Sequence, residues 1–109
     1  MANTFKRSSA DAVGTTAEVL YTVPSSPSTR AVLIGGLLSN TSNATCNATV
    51  TVTIGSDVIN LIGENTPIPA NTALSFIDGK IVVLTTDVVK VKGSVAGALD
   101  AHISYMEIT

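Results

Sequence analysis

Ionic groups are scarce in this sequence. Its 109 residues include eight Asp or Glu, six Lys or Arg and one His, a charged share of 13%. An ordinary globular chain carries about 25%. The net charge is −2 and no basic run is longer than Lys6-Arg7, which excludes a nucleic-acid surface built on phosphate contacts. The single cysteine, Cys46, excludes an internal disulfide. One His and one Cys also exclude a single-chain zinc site. No apolar run approaches the ~18 residues of a membrane-crossing helix. The longest, Ala31 to Leu38, is interrupted by Gly35 and Gly36. The opening MANTFKRSS has no apolar h-region, so export is not expected and the chain is expected to be made and kept in a cytoplasm. Neither nucleic acid nor membrane is an expected partner.

Apolar residues, by contrast, are plentiful at 45%, although only 4% are aromatic. That is too much for a disordered chain. The length fits one domain, with a folded surface of roughly 5,600 Å² by area scaling, so the core is thin. A small soluble domain needs charge on its exterior. So little charge on so apolar a chain implies that part of the surface is covered by something else.

The hydrophobic pattern has period two. Val19, Tyr21 and Val23 alternate with Glu18, Leu20 and Thr22 before Pro24 ends the run. Arg30 to Leu38 is apolar at both alternating sets of positions, as in a strand buried on both faces, and a second subunit could supply one cover. Cys46, Ala48, Val50, Val52 and Ile54 define a core face; Thr49, Thr51 and Thr53 lie on the other. Gly55-Ser56 fits a type II′ turn that pairs Ile54 with Asp57 and Val52 with Ile59. Asp78-Gly79 fits a type I′ turn that pairs Phe76 with Ile81 and Leu74 with Val83. Val89 and Val91 oppose Lys90 and Lys92. Leu99, Ala101, Ile103 and Tyr105 oppose His102, Ser104 and Met106. The expected fold is an all-β, single-domain β-sandwich of about eight antiparallel strands, jelly-roll or immunoglobulin-like. Residues 1–17, small and polar, form an N-terminal arm ahead of the sandwich domain at 18–109.

Chemistry-bearing residues are few and scattered. His102 sits on an alternating strand, away from the core face. Cys46 has core parity and no cationic neighbour in sequence to lower its pKa. Asp57, Asp78 and Asp87 fall at turns, where Asp serves the backbone. No glycine-rich phosphate loop is present. No enzyme, cofactor or metal site is expected. Asn40-Thr41-Ser42 and two neighbouring triplets match the glycosylation pattern, but without export they have no compartment in which to be used. A sugar-binding module would need an aromatic platform, and of Phe5, Tyr21, Phe76 and Tyr105 the last three have core parity.

Three segments carry a family resemblance. MANTFKRSSADAVGTTAEVLYTVPSS, PIPANTALSFIDGKIVVLTTDVVKVKGS and ALDAHISYMEI resemble small virion structural proteins of tailed bacteriophages, especially marine and cyanophage types. The resemblance covers most of the chain as short strand motifs rather than a catalytic signature. It implies a non-enzymatic virion component assembled in the host cytoplasm. The favoured role is a capsid decoration or cement protein that bridges neighbouring subunits; a tail, neck or fibre protein is the alternative. The expected partners are the major capsid protein or tail proteins, together with further copies of the chain, a trimer being one candidate. Expected interface residues are Phe5, Lys6 and Arg7 of the arm, Val32, Ile34, Leu37 and Leu38 of the doubly apolar strand, and Thr49, Thr51 and Thr53 of the hydroxyl face.

Overall fold

The computed structural model describes residues 3–25, 28–63, 65–77 and 80–109. Among the described residues ten strands form: β1 (Asn3–Val13), β2 (Glu18–Thr22), β3 (Arg30–Asn40), β4 (Cys46–Ile54), β5 (Asp57–Asn60), β6 (Thr66–Ile68), β7 (Ala73–Ser75), β8 (Ile81–Val83), β9 (Val88–Gly93) and β10 (Leu99–Ile108). None of the described residues lies in a helix long and apolar enough to cross a membrane.

The strands build two five-stranded sheets. The first has the order β1-β10-β3-β7, with β8 also on β3. The second has the order β2-β9-β4-β5, with β6 also on β4. Every pairing is antiparallel. Because β7 and β8 share one edge of β3, and β5 and β6 one edge of β4, each sheet is effectively four strands wide. The chain passes from sheet to sheet through β1, β2, β3 and β4, and returns through β9 and β10. This is a jelly roll, which decides between the two sandwich topologies.

Alternation explains the core between the sheets. Ala48, Val50 and Val52 of β4 line it with Val89 and Val91 of β9, and so do Leu33 and Leu38 of β3 with Ile103 and Leu99 of β10; all are buried. The Gly55-Ser56 hairpin forms in the expected register, Ile54 opposite Asp57 and Val52 opposite Ile59. Gly55 takes φ 62°, the left-handed geometry that a II′ turn asks of its first central residue. The hairpin nevertheless projects past the core: all four residues of β5 are exposed.

Other expectations are corrected. In β2 the register slips between Val19 and Tyr21, so Leu20 and Tyr21 are both buried while Val19 faces out. Leu74 and Val83 do not pair with each other. β7 and β8 both run antiparallel to β3, end to end, with Leu74 opposite Leu38 and Val82 opposite Val32. The proposed turn residues Asp78 and Gly79 lie outside the described residues. What wins over turn chemistry is β3 itself, whose eleven residues offer an edge long enough for both short strands. Between them the Phe76 amide bonds the Gly36 carbonyl at 3.1 Å, and the ring lies where a side chain at 36 would be. Residues 3–13 of the expected arm lie along β10 as β1, an edge strand of the first sheet.

Candidate interaction surface

One end of the outer face of the first sheet is apolar and open. Antiparallel register places Phe5 of β1 opposite Met106 of β10, Met106 opposite Val32 of β3, and Val32 opposite Val82 of β8. One row of apolar side chains therefore crosses four strands. Phe5 is 75% exposed and Val82 63%. Ile34, where the β3–β10 register slips by one residue, extends the patch at 42% exposed; Leu37, 44% exposed, lies farther along the same face, opposite His102. Between Phe5, Arg7, Ile34 and Ser104 lies a shallow cleft of about 380 Å³. Scattered exposed apolar residues are ordinary, but a contiguous group on one sheet face marks a contact surface.

Of the residues expected at an interface, Phe5, Arg7, Val32 and Ile34 converge here, and Leu37 shares the face but lines a separate hollow with Ser9, Asp11, Asp100 and His102. Leu38 does not. It points inward and is wholly buried, because neighbours on a strand face opposite ways. Lys6 also points inward, toward Glu107.

Lys6, Glu107 and Tyr21 form a polar cluster at the β1 edge. The Lys6 ammonium lies 2.7 Å from Glu107 Oε1, and the Tyr21 hydroxyl donates to Glu107 Oε2 at 2.6 Å. Glu107 and Tyr21 are both buried. Burial alone would raise the Glu107 pKa. The hydrogen bonds from Lys6 and Tyr21 outweigh it and hold the carboxyl below its usual range. Tyr21 is pushed well above the ordinary tyrosine value, first by burial and then by the carboxylate. The Tyr21 and Tyr105 rings lie 4.1 Å apart between centroids. Nothing in local sequence pattern links residues 6, 21 and 107; only the strand order brings them together.

The outer face of the second sheet is different. Thr49 and Thr51 stand opposite Lys92 and Lys90. With Ala17, Thr53, Val58 and Asn60 they line a groove of about 460 Å³. The hydroxyl face is thus also cationic, which the sequence alone does not show because it does not give the β4–β9 pairing. Thr49 is buried, and its hydroxyl accepts the Asn65 amide at 3.1 Å, so it serves the fold. Thr51 and Thr53 are partly exposed.

The residues with catalytic potential stay apart. His102 is exposed opposite Leu37. Cys46 is buried in the core. Asp87 accepts the Leu84 amide at 2.8 Å in a turn. No three His, Cys, Asp or Glu side chains among the described residues are grouped to hold a metal. Asn40, the first glycosylation match, is 2% exposed; its amide donates to the carbonyls of Ala44 and Ile68.

No protein-family model matches the chain, and no curated protein matches its sequence. Among solved structures, the fold is shared with a chain of Bacillus endospore appendages, a family of disulfide-linked pili. The identity is 15% and the TM-score 0.52, over 96% of this chain and 85% of that one. It is also shared with a chain of the acidic stable capsid structure of Helicobacter pylori bacteriophage KHP30. There the identity is 10% and the TM-score 0.55, over 100% of this chain and 89% of that one. Identities this low make the likeness one of fold.

Proposed function

We propose that the chain is a structural subunit of a phage virion, held in the particle through the outer face of its first sheet. The observation that carries this reading is the open row Phe5, Met106, Val32, Val82, extended by Ile34 and with Leu37 exposed farther along the same face, on a sandwich that buries its other face efficiently. Burial of apolar surface stabilises by about 25 cal/mol per Å², so such a row gains most when a partner covers it. The jelly-roll likeness to a phage capsid chain and to a pilus chain supports an assembled, non-catalytic role by analogy of fold. Within the virion we favour a decoration or cement role on the head, with copies bridging neighbouring capsid subunits. A tail or neck position is the runner-up. A sugar-binding role finds one exposed aromatic, Phe5, among the described residues, since Tyr21, Phe76 and Tyr105 are buried.

Co-sedimentation with purified phage capsid shells and, separately, with purified tails tests the reading. Saturable binding to shells supports the head role. Binding to tails alone moves the chain to the tail. Binding to neither contradicts a virion role.

A further inference from the structure

β1 is held by its backbone and by polar side chains rather than by an apolar face. Of its eleven residues only Val13 is buried. The positions that face inward are Thr4, Lys6, Ser8 and Ala10, opposite Glu107, Tyr105, Ile103 and Ala101. Lys6 reaches Glu107, and the Ser8 hydroxyl donates to the Leu20 carbonyl. Val13 lies beyond a break. The register slips between Ala10 and Val13, and Ala12 takes φ 55°, a conformation that a Cβ disfavours.

Val13 is the residue of β1 sunk in the apolar core, and of residues 3–10 only the small Ala10 packs against that core, partly buried. What they complete is polar. Without them the outer edge of β10 would leave its N–H and C=O groups unpaired, and the buried Glu107 carboxylate would lack its cation. The seat left by residues 3–10 thus has three recognition elements: the hydrogen-bond ladder of β10, Glu107 of β10 for an ammonium, and the Leu20 carbonyl of β2, in the facing sheet, for a hydroxyl. Residues 3–10 of any copy satisfy all three equally well.

We propose that β1 is exchanged between copies, with Asn3–Ala10 of one chain pairing with β10 of a second and residues 11–12 opening as the hinge. This specifies the self-contact within the virion reading and rests on that reading for its purpose. Each chain gives and receives the same contacts, so exchange has a small net cost; opening the hinge relieves the Ala12 conformation and breaks one exposed hydrogen bond, from the Ala12 amide to Asp100 Oδ1 at 2.9 Å. Two hinge residues span only about 7 Å. The receiving β10 must lie directly beside the donor, so the first sheets of the two copies meet at their β10 edges.

The test uses full-length single variants Arg7→Cys and Ser104→Cys. These positions are register partners on the outer face. Paired strands put their Cα atoms about 4.5–5.5 Å apart, within the reach of a disulfide. Cys46 is buried and takes no part. The two variants are refolded together, concentrated and oxidised, with light scattering on the same samples. The expected result is a disulfide between the two variants, about tenfold or more over either same-variant dimer, since register pairing raises the local thiol concentration. Oligomers without that mixed disulfide overturn exchange and leave the virion reading standing. A monomer at every concentration also overturns exchange. Mixed disulfide in a chain that binds neither shells nor tails keeps exchange and sinks the virion reading. If either variant fails to fold, Ser9→Cys with His102→Cys repeats the test at the next outward pair.

Discussion

Leu37 and Leu38 are chain neighbours that face opposite sides of the first sheet: Leu38 has no exposed surface, and Leu37 is 44% exposed. Strand alternation gives two leucines of identical chemistry unrelated tasks. Leu38→Asp would bury an unpaired carboxylate, which costs several kcal/mol, and should fail to fold. Leu37→Asp places the charge in water, so its stability should stay within about 0.5 kcal/mol of wild type, while co-sedimentation with the particle is lost. Thr51→Asp, on the opposite face of the sandwich, should co-sediment as wild type does. Equal co-sedimentation of the Leu37 and Thr51 variants would show that the interface is misplaced.

Gly36 is required by Phe76. A Cβ at residue 36 would lie 2.6 Å from Phe76 Cζ and 2.9 Å from Ile77 Cδ1. Both neighbours are buried and have little room to retreat. Gly36→Ala should therefore lose about 1–3 kcal/mol by overpacking, read from urea midpoints. Gly35→Ala, which meets nothing within 4 Å, should lose much less.

Tyr21→Phe keeps the ring stacked on Tyr105 but removes the donor to Glu107. Hydrogen bonds to charged groups are worth about 1.5–3 kcal/mol, and the variant should lose that much stability. The Glu107 carboxyl should also titrate at higher pH in carbon-detected NMR. An unmoved titration would mean that Lys6 alone stabilises the carboxylate.

The same cluster sets a pH dependence. The folded state holds Glu107 below its ordinary value, so its contribution is present above that ordinary value and is lost as pH falls through the lower folded one. Lys6, raised by its hydrogen bond and charge contact with Glu107, contributes below the ordinary lysine range and loses that contribution as pH rises past it. Asp11 works against Glu107 in acid. Its hydrogen bond and charge repulsion with Asp100 raise its pKa, so protonation of Asp11 favours the folded chain at low pH and the gain fades as pH rises. Urea midpoints at about pH 7 and about pH 3 should fall less in Glu107→Gln than in wild type. A larger fall in the variant would give Glu107 the opposite sign.

Strands whose side chains alternate cleanly were legible: β4, β9 and β10 emerge where the apolar spacing puts them, and Gly55 fixes the β4–β5 register. β1 was not legible, because it pairs through its backbone and offers polar side chains inward, leaving no period to read. The Asp78-Gly79 signal pointed to a hairpin because turn chemistry is local. The competing partner was β3, about forty residues earlier in sequence, which no window of that size contains. Phe5, Arg7, Val32, Ile34 and Leu37 were recognisable as surface candidates, but that they form one face follows from β1 and β3 flanking β10. Lys90 and Lys92 beside the threonines, and Glu107 beneath Lys6, likewise required the strand order.

The central claim is that a partner covers the outer face of the first sheet in the particle. A Leu37→Cys chain measures this directly, because the native Cys46 is buried and silent. Its maleimide labelling rate should fall about tenfold or more between the free chain and the chain on the particle, while a Thr51→Cys chain labels at similar rates in both. Equal labelling of Leu37→Cys free and bound, with Thr51→Cys protected instead, would contradict the account.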